Sequence, residues 1–172
     1  MIIELNKSYF TTYRNQIILL LLNIQFISNE FACSIYRETQ NDFYSYSNYS
    51  FLYIENDILL GIILAKPIGS YVFNKNTCEI KFLSVNPDFK GKGIASSLIE
   101  HLKIKCSKSF EYLYLTVYEN NSRAIAFYKK MGFSRYILNN QPQNVLLDAD
   151  TLNEHTDICL ICNLLGASHN SR

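Results

Sequence analysis

The order of hydrophobic and polar positions in the first third of the chain predicts helices followed by a loop. Residues 2–7 are typical of a short strand, and the pattern over residues 9–27 predicts a first helix. Ser28 is a typical N-cap for a second helix, which we expect to end near Thr39. The polar and aromatic stretch at residues 41–50 predicts a loop that leads into a strand.

Beyond residue 50, runs of β-forming residues alternate with two amphipathic stretches. One stripe of apolar positions predicts a helix over residues 94–106, and a second helix follows Asn121 and ends at Gly132. Asn56 and Asp57 are typical of a tight turn between two strands. The runs themselves predict strands at residues 50–55, 58–68, 78–85, 111–119, 133–138 and 157–165.

The order of these elements predicts one α+β domain over residues 1–165, whose sheet has an antiparallel part and a local parallel pair of strands. Length and composition agree, because 172 residues suffice for one core and 48% hydrophobic with 18% charged residues is typical of a globular chain. We expect residues 166–172 to form a disordered tail.

The charge distribution argues against a nucleic acid partner, and the length of the apolar run argues against a membrane span. The formal net charge is only +1, and no Lys or Arg lies between Arg37 and Lys66, the most aromatic part of the chain. The apolar run at residues 17–27 has about half the length that spans a bilayer, and it does not resemble a secretory signal. We therefore expect a cytoplasmic protein.

Five cysteines at irregular spacing do not predict a disulfide framework. Cys159 and Cys162 form a CxxC pair that is compatible with a zinc or redox site. They lie in a run that predicts a strand, however, and positions three apart in a strand face opposite sides of the sheet. We favour two structural cysteines and expect no metal.

The stretch NPDFKGKGIASSLIEHL, at residues 86–102, places small residues at Gly91, Gly93 and Ala95 between a strand and a helix. The first turn of a helix has unpaired N–H groups, and the helix dipole favours negative charge there. Small residues let a phosphate reach these donors, and Lys90 and Lys92 add positive charge. The alternative is a flexible helix start without a ligand, which needs one glycine but not three small residues.

These residues resemble a motif of the GCN5-related N-acetyltransferase (GNAT) superfamily, Arg/Gln-x-x-Gly-x-Gly/Ala after a strand. The chain has Lys90-Gly91-Lys92-Gly93-Ile94-Ala95, which matches at Gly93 and Ala95 and departs at Lys90. A second family element, Asn-x-x-Ala-x-x-Phe-Tyr-x-x-x-Gly-Phe, follows at the expected distance. Its residues here are Asn121, Ala124, Phe127, Tyr128, Gly132 and Phe133.

The resemblance implies a central mixed sheet, mostly antiparallel, with about six or seven strands, a splayed parallel pair and about four flanking helices. It also implies that the pyrophosphate of acetyl-CoA lies on the turn. The residues of this turn are Lys90, Gly91, Lys92, Gly93, Ile94, Ala95 and Ser96. The pantetheine arm would follow the backbone of Leu83, Ser84 and Val85, with the Val85 N–H as a candidate to polarise the thioester carbonyl. Asn121 either hydrogen-bonds the pantetheine or caps its helix.

Two residues are candidates for proton transfer. Tyr128 occupies the place where the family often has a tyrosine near the sulfur as general acid, although it is also explained as a tyrosine at the edge of the core. Glu79 lies on the same strand face as Val85, and some family members have a base glutamate there. A solvent-facing carboxylate paired with Lys81 explains Glu79 equally well.

The resemblance therefore predicts an enzyme that moves acetyl from acetyl-CoA to a primary amine by direct attack, without metal. The acceptor is either a peptide or protein amine or a small-molecule amine, and its contacts are expected within residues 9–49 and 139–157. The alternative is a domain that binds acyl-CoA as a sensor or scaffold without turnover. Composition is compatible with a monomer or a homodimer.

Overall fold

The structure, a computed structural model, describes residues 1–23, 28–69, 76–138, 141–142, 144–145 and 157–165. It is a mixed α+β fold, and among the pairs whose register involves described residues, one is parallel and the others are antiparallel. Its helices among the described residues are α1 (Lys7–Thr12), α2 (Arg14–Leu22), α3 (Asn29–Asn41), α4 (Phe43–Ser47), α5 (Ile94–Cys106) and α6 (Ser122–Lys130).

The described strands have between two and twelve residues, and the longest is Ile58–Gly69. In chain order they are β1 (Ile2–Glu4), β2 (Phe51–Glu55), β3 (Ile58–Gly69), β4 (Thr77–Val85), β5 (Tyr112–Tyr118), β6 (Ser134–Arg135), β7 (Ile137–Leu138), β8 (Gln141–Pro142), β9 (Asn144–Val145) and β10 (Asp157–Asn163). The predicted α+β class and its parallel pair are confirmed.

The chain divides into two compact units. The first comprises Met1–Pro67 and Ile80–Lys108, and the second comprises Ile68–Glu79 and the chain from Ser109 onward. The division falls within β4, after Glu79. A single domain over residues 1–165 stays a prediction, and residues 166–172 lie outside the described residues.

In the first unit, the strands follow the order β1–β2–β3–β4. β1 and β3 both pair antiparallel with β2, and β2 turns into β3 at Asn56 and Asp57. Both residues have positive φ, 50° and 60°, which a two-residue hairpin turn of type I′ requires. The predicted hairpin is confirmed.

The helices α1 to α4 cover this part of the sheet with apolar side chains. Their contact surface forms one core cluster, which includes Phe10, Ile17, Leu21, Ile35, Tyr46, Leu52, Ile62 and Phe82. Since burial of an apolar side chain is worth about 1.5–3 kcal/mol, this cluster stabilises the first unit.

Two predictions in this region were wrong. The first helix is divided into α1 and α2 at Tyr13, whose backbone is not helical (ψ 14°), and its last predicted residues, 24–27, lie outside the described residues. The predicted loop contains the helix α4, which tertiary contacts stabilise. Tyr46 is fully buried and its hydroxyl donates to Glu38 Oε1 at 2.8 Å.

Lys66 strengthens the same connection between α3, α4 and β3. Its Nζ donates to Glu38 Oε1 at 2.6 Å, and it lies 5.1 Å from the centroid of the Tyr46 ring. Partial burial works to raise the pKa of Glu38, but the hydrogen bonds from Lys66 and Tyr46 outweigh it and hold that pKa below its usual value. The carboxylate therefore stays ionised at neutral pH.

In the second unit, β10 is the central strand. It pairs antiparallel with β5 along its whole length and also with β6 and β9. The start of β4 runs parallel to β5 over Thr77–Glu79 and Tyr112–Tyr114. The strand predicted at residues 133–138 is divided into β6 and β7 at Tyr136.

Candidate functional site

The turn before α5 is built by local hydrogen bonds of the predicted kind. Asn86 accepts a hydrogen bond from the Asp88 N–H through its side chain at 3.1 Å and from the Phe89 N–H through its carbonyl at 2.9 Å. Pro87 begins a single 3₁₀ turn, where its fixed φ is suited to the first position. The strand β4 therefore ends at Val85, and the chain enters the glycine turn.

Gly91 and Gly93 adopt left-handed backbone conformations, with φ of 82° and 81°. A side chain at either position would be strained, since residues with a Cβ rarely adopt this region. A Cβ built on either glycine would meet no described atom within 4 Å, so the space beside the turn is open. Glycine is thus required here by the backbone, in addition to any need for close approach.

The first turn of α5 has no side-chain cap. Gly93 is the N-cap residue and offers no side-chain acceptor, and the first intrahelical bond runs from Ser97 N–H to the Gly93 carbonyl at 2.9 Å. Helix geometry leaves the preceding amides, those of Ile94, Ala95 and Ser96, without intrahelical acceptors. These amides and the positive end of the dipole suit an anion.

The two lysines of the turn differ in how they are held. Both are exposed, and the Nζ of Lys92 lies 4.4 Å from the centroid of the Phe89 ring, which is a cation–π contact. Lys90 follows the 3₁₀ turn in an extended conformation, with φ −60° and ψ 147°. Both lysines add positive charge to the turn, and Lys92 has the more restricted side chain.

In the end of β4, Ser84 is buried while Leu83 and Val85 are half-exposed. The Ser84 hydroxyl donates to the carbonyl of Leu20, near the end of α2, at 2.7 Å. The side chain of Ser84 is therefore engaged, and only its backbone remains for a ligand. All three residues lie beyond the part of β4 that pairs with β5.

Glu79 belongs to the second unit, on the half-exposed face of β4. Glu79, Lys81, Leu83 and Val85 are all half-exposed while the residues between them are buried, which is the predicted period of two. Glu79 lies opposite Tyr114 in the parallel register. Its role as a base stays a prediction.

Tyr128 lies on α6, where its ring packs edge-on against Phe127 and Phe133 at centroid distances of 5.2 Å and 5.6 Å. Burial raises the pKa of the Tyr128 phenol above its usual value. The phenol therefore keeps its proton at neutral pH and can act as a hydrogen-bond donor.

Asn121 is the N-cap of α6. Its side-chain Oδ1 accepts a hydrogen bond from the Ala124 N–H at 3.1 Å. Of the two roles considered for Asn121, the structure shows the capping role. A contact with pantetheine would have to use the Nδ2 donor and stays a prediction.

Sequence analysis missed Gly61, which lies within β3 and is buried. A Cβ on Gly61 would lie 2.8 Å from Cγ2 of Ile94, the first residue of α5. A glycine in the interior of a strand marks close approach of another element, and this signal was present in the sequence.

All five cysteines lie in the described part of the chain and are free thiols. Cys159 and Cys162 are buried with free thiols, and the Tyr114 hydroxyl lies 3.6 Å from the Cys159 sulfur. Within the described ranges, no group of three or more His, Cys, Asp or Glu side chains is arranged to hold a metal. No described helix has the length and apolar character needed to cross a membrane.

Comparison with known proteins gives partial matches to two acetyltransferases. The chain is 26% identical over 96 residues to N-alpha-acetyltransferase 30 of Schizosaccharomyces pombe, which is 54% of this chain and 62% of the relative. It is 34% identical over 68 residues to a peptidyl-lysine N-acetyltransferase of Salmonella typhimurium, which is 40% of this chain and 43% of the relative. The chain thus matches about half the length of these relatives.

The fold is similar to that of Arabidopsis thaliana Naa50, solved in complex with the bisubstrate analogue CoA-Ac-MVNAL. The TM-score is 0.66 at 20% identity, and the match covers 94% of this chain and 96% of that one. A family model described as "Acetyltransferase (GNAT) family" matches residues 16–133, which is more than half of the sequence. The chain belongs to the GNAT acetyltransferase family.

Proposed function

We propose that this protein is an N-acetyltransferase that moves an acetyl group from acetyl-CoA to a primary amine of a peptide or protein. The start of α5 carries this proposal. Gly91 and Gly93 are left-handed beside open space, and the amides that follow them have no cap. This is the arrangement that accommodates the pyrophosphate of the acetyl donor.

The residues of the first unit fit the donor chemically. A pyrophosphate carries negative charge and accepts hydrogen bonds, and the turn offers helix-end amides together with Lys90 and Lys92. The backbone of Leu83, Ser84 and Val85 would hold the pantetheine arm, and the Val85 N–H would donate to the thioester carbonyl.

In the proposed reaction, the nitrogen lone pair of the amine attacks the thioester carbonyl carbon. The carbon–sulfur bond then breaks, the sulfur leaves as a thiolate, and the nitrogen loses a proton. Because free amines have pKa values of about 8 to 10, a base that removes a proton increases the reactive fraction at neutral pH. We assign this role to Glu79, directly or through water.

Tyr128 would donate a hydrogen bond to the leaving sulfur. A thiol has a pKa of about 8.5, whereas the Tyr128 phenol starts from about 10 and is raised further by burial. Complete transfer of the phenol proton to the thiolate is therefore unfavourable. Tyr128 stabilises the developing thiolate by donating a hydrogen bond and keeps its own proton. The proton lost by the amine passes to Glu79 and from there to solvent, and the released thiolate takes up a proton from solvent.

The activities named for the relatives support a peptide or protein acceptor. One relative is an N-alpha-acetyltransferase, another is a peptidyl-lysine N-acetyltransferase, and the structural neighbour Naa50 holds an analogue that joins CoA to MVNAL. The acidic residues of the segment at 146–156 lie outside the described residues. The choice between α-amine and lysine amine is therefore left to experiment.

A matched pair of peptides tests the proposal. One peptide has a free α-amine and no lysine, and the other has a blocked N-terminus and one lysine. The protein is incubated with acetyl-CoA, and thiol release and peptide mass are followed. We expect acetylation of at least one peptide. Saturable binding of acetyl-CoA without acetylation of peptides or of small amines would instead establish a non-catalytic binding domain.

Replacement of Glu79 by Gln tests the assigned base. The variant should lose most of its rate near neutral pH, because the amine would then be deprotonated only by solvent. The rate should recover as pH rises and the free amine becomes abundant. A pH–rate profile identical to that of the wild type would exclude Glu79 from proton transfer.

A further inference from the structure

Neighbouring atoms leave no room for a side chain at Gly61. A Cβ at this position would lie 2.8 Å from Ile94 Cγ2, 3.2 Å from Leu98 Cδ1 and 3.3 Å from the Ser84 carbonyl oxygen. Its φ lies outside the left-handed region, so an alanine would not strain the backbone. Gly91 and Gly93 are the opposite case, with left-handed backbones and open space beside them.

The contact at 2.8 Å is too short for a real Cβ, so an added methyl group must displace something. Ile94 is buried, and a β-branched side chain in a helix has one strongly preferred χ1 rotamer. Its Cγ2 is attached directly to Cβ and cannot move far unless the backbone moves. The displaced group would therefore be the first turn of α5.

A Cβ on Gly61 would also lie close to Leu98, at 3.2 Å from its Cδ1. Leu98 lies one turn after Ile94 on the same face of α5, and it is fully buried. The third contact, with the Ser84 carbonyl, falls in the part of β4 to which we assign the pantetheine. One methyl group would thus press on both parts of the donor site in the first unit.

We propose that Gly61 is a positioning residue for the acetyl donor. By leaving room for Ile94, it sets how closely the first turn of α5 approaches β3 and hence where the uncapped amides lie. Gly61 itself contacts neither the donor nor the reacting atoms. The inference rests on the proposed function, because its consequence is measured as donor affinity.

A purely structural role would have a different signature. Overpacking of a core lowers the stability of the folded protein but need not change the affinity of the molecules that remain folded. Replacement of a strand glycine by alanine also gains some stability from the reduced entropy of the unfolded chain. Thermal stability alone therefore does not distinguish the two roles, and the binding constant does.

The test is Gly61→Ala, in the wild-type background and in an Ile94→Ala background, with titration of acetyl-CoA. We expect the substitution to weaken binding by about tenfold or more in the wild type. Where Ile94 has lost its Cγ2, the same substitution should weaken binding by less than about threefold, which is the coupling that a double-mutant cycle measures. The Ile94→Ala single variant controls for lost packing.

A second readout is the amide spectrum of the unliganded protein. Gly61→Ala should shift the signals of Gly91, Gly93 and Ser97, whose N–H bonds to the Gly93 carbonyl. Unchanged signals and unchanged affinity in a variant with lower melting temperature would overturn the positioning role alone. Equal losses of affinity in the two backgrounds would also overturn it. Absence of acetyl-CoA binding by the wild-type protein would overturn the proposed function instead.

Discussion

Helices α5 and α6 both follow a strand and a turn, yet their first turns are completed in different ways. α6 begins at Asn121, whose side chain accepts the Ala124 N–H, so the helix satisfies one of its own free donors. α5 begins at Gly93, which has no side chain to offer. The first turn of α6 is therefore capped by a side chain, whereas the first turn of α5 is not.

This difference indicates which of the two helix N-termini is available to a ligand. A capped amide must first give up its hydrogen bond, whereas an uncapped amide in contact with water exchanges one acceptor for a better one. Family resemblance assigns the donor phosphates to α5, and the absent cap provides a physical reason for that assignment. The following predictions test this comparison, beginning with the largest expected effect.

A glutamate at the uncapped N-terminus of α5 should strongly weaken the binding of acetyl-CoA. Gly93→Glu places a strained side chain and a negative charge where the phosphates are proposed to bind, and we expect acetyl-CoA affinity to fall by about 100-fold or more. Gly132, which ends α6 with φ 84°, is a matched control of the same backbone conformation. Calorimetric titration should give near wild-type affinity for Gly132→Glu, although both variants lose stability.

Removal of the phenol on α6 should affect turnover and leave binding intact. Tyr128→Phe should lower kcat by about 100-fold if its hydrogen bond stabilises the leaving sulfur, with unchanged acetyl-CoA affinity. Because burial raises the pKa of Tyr128, the phenol keeps its proton up to and beyond pH of about 10. The kcat profile should therefore show no loss from Tyr128 ionisation below that pH. An unchanged kcat under conditions where chemistry limits turnover would contradict the assignment.

The side-chain cap of α6 should contribute to the stability of the folded protein. Asn121→Ala removes the cap and should cost about 1 kcal/mol, a decrease in melting temperature of about 2–4 °C for a chain of this size. Asn121→Asp keeps the acceptor and should restore that stability. If the Nδ2 donor also contacts pantetheine, acetyl-CoA affinity will fall in both variants. Wild-type affinity for acetyl-CoA in both variants would limit Asn121 to capping.

The smallest effect concerns the cation at position 90, in the turn of α5. Lys90→Arg restores the residue that the family motif prefers, and its planar donors should strengthen acetyl-CoA binding by about two- to threefold. Since Lys and Arg carry the same charge, the gain should persist when added salt weakens the binding of acetyl-CoA to both variants. Arg123→Lys, in the first turn of α6, is the matched control and should leave affinity unchanged. Equal affinities of the wild type and Lys90→Arg for acetyl-CoA would contradict a role for the planar donors.

Elements with strong local signals were predictable from the sequence. The helix α5 has the predicted bounds, and its apolar stripe is buried. The hairpin turn at Asn56 and Asp57 and the left-handed Gly132 were also predicted correctly. At each of these positions the backbone is determined by the residue itself or by its neighbours within one turn, so that no distant contact is needed.

The errors fall where distant residues decide the outcome. The helix α4 was predicted as a loop because its polar and aromatic residues have no helical period. Its stability comes from the buried Tyr46 and from Glu38 and Lys66, the latter some twenty residues away in β3. The break at Tyr13 likewise has no local signal in the sequence, and Tyr13 is buried in the same core cluster as Phe10 and Ile17. Gly61 shows a third case, since its importance depends on Ile94 in another element.

The turn before α5 was predicted from its small residues, and the structure adds a backbone reason for two of them. Small residues at 91 and 93 were interpreted as room for a phosphate, and the structure shows that their backbones also require glycine. The capping role of Asn121 was one of two alternatives, and only geometry distinguishes them. The engagement of the Ser84 side chain with α2 has no sequence signal, because its partner is a backbone carbonyl.

The hydrogen bond from Ser84 to the Leu20 carbonyl has a consequence for protein engineering. A chimaera that takes α1 and α2 from a relative, for example to change the acceptor, must keep a hydroxyl at position 84. Without it, the Leu20 carbonyl loses this hydrogen bond, at a cost of about 0.5–1.5 kcal/mol. Helix α2 and strand β4 are therefore best exchanged together as one cassette.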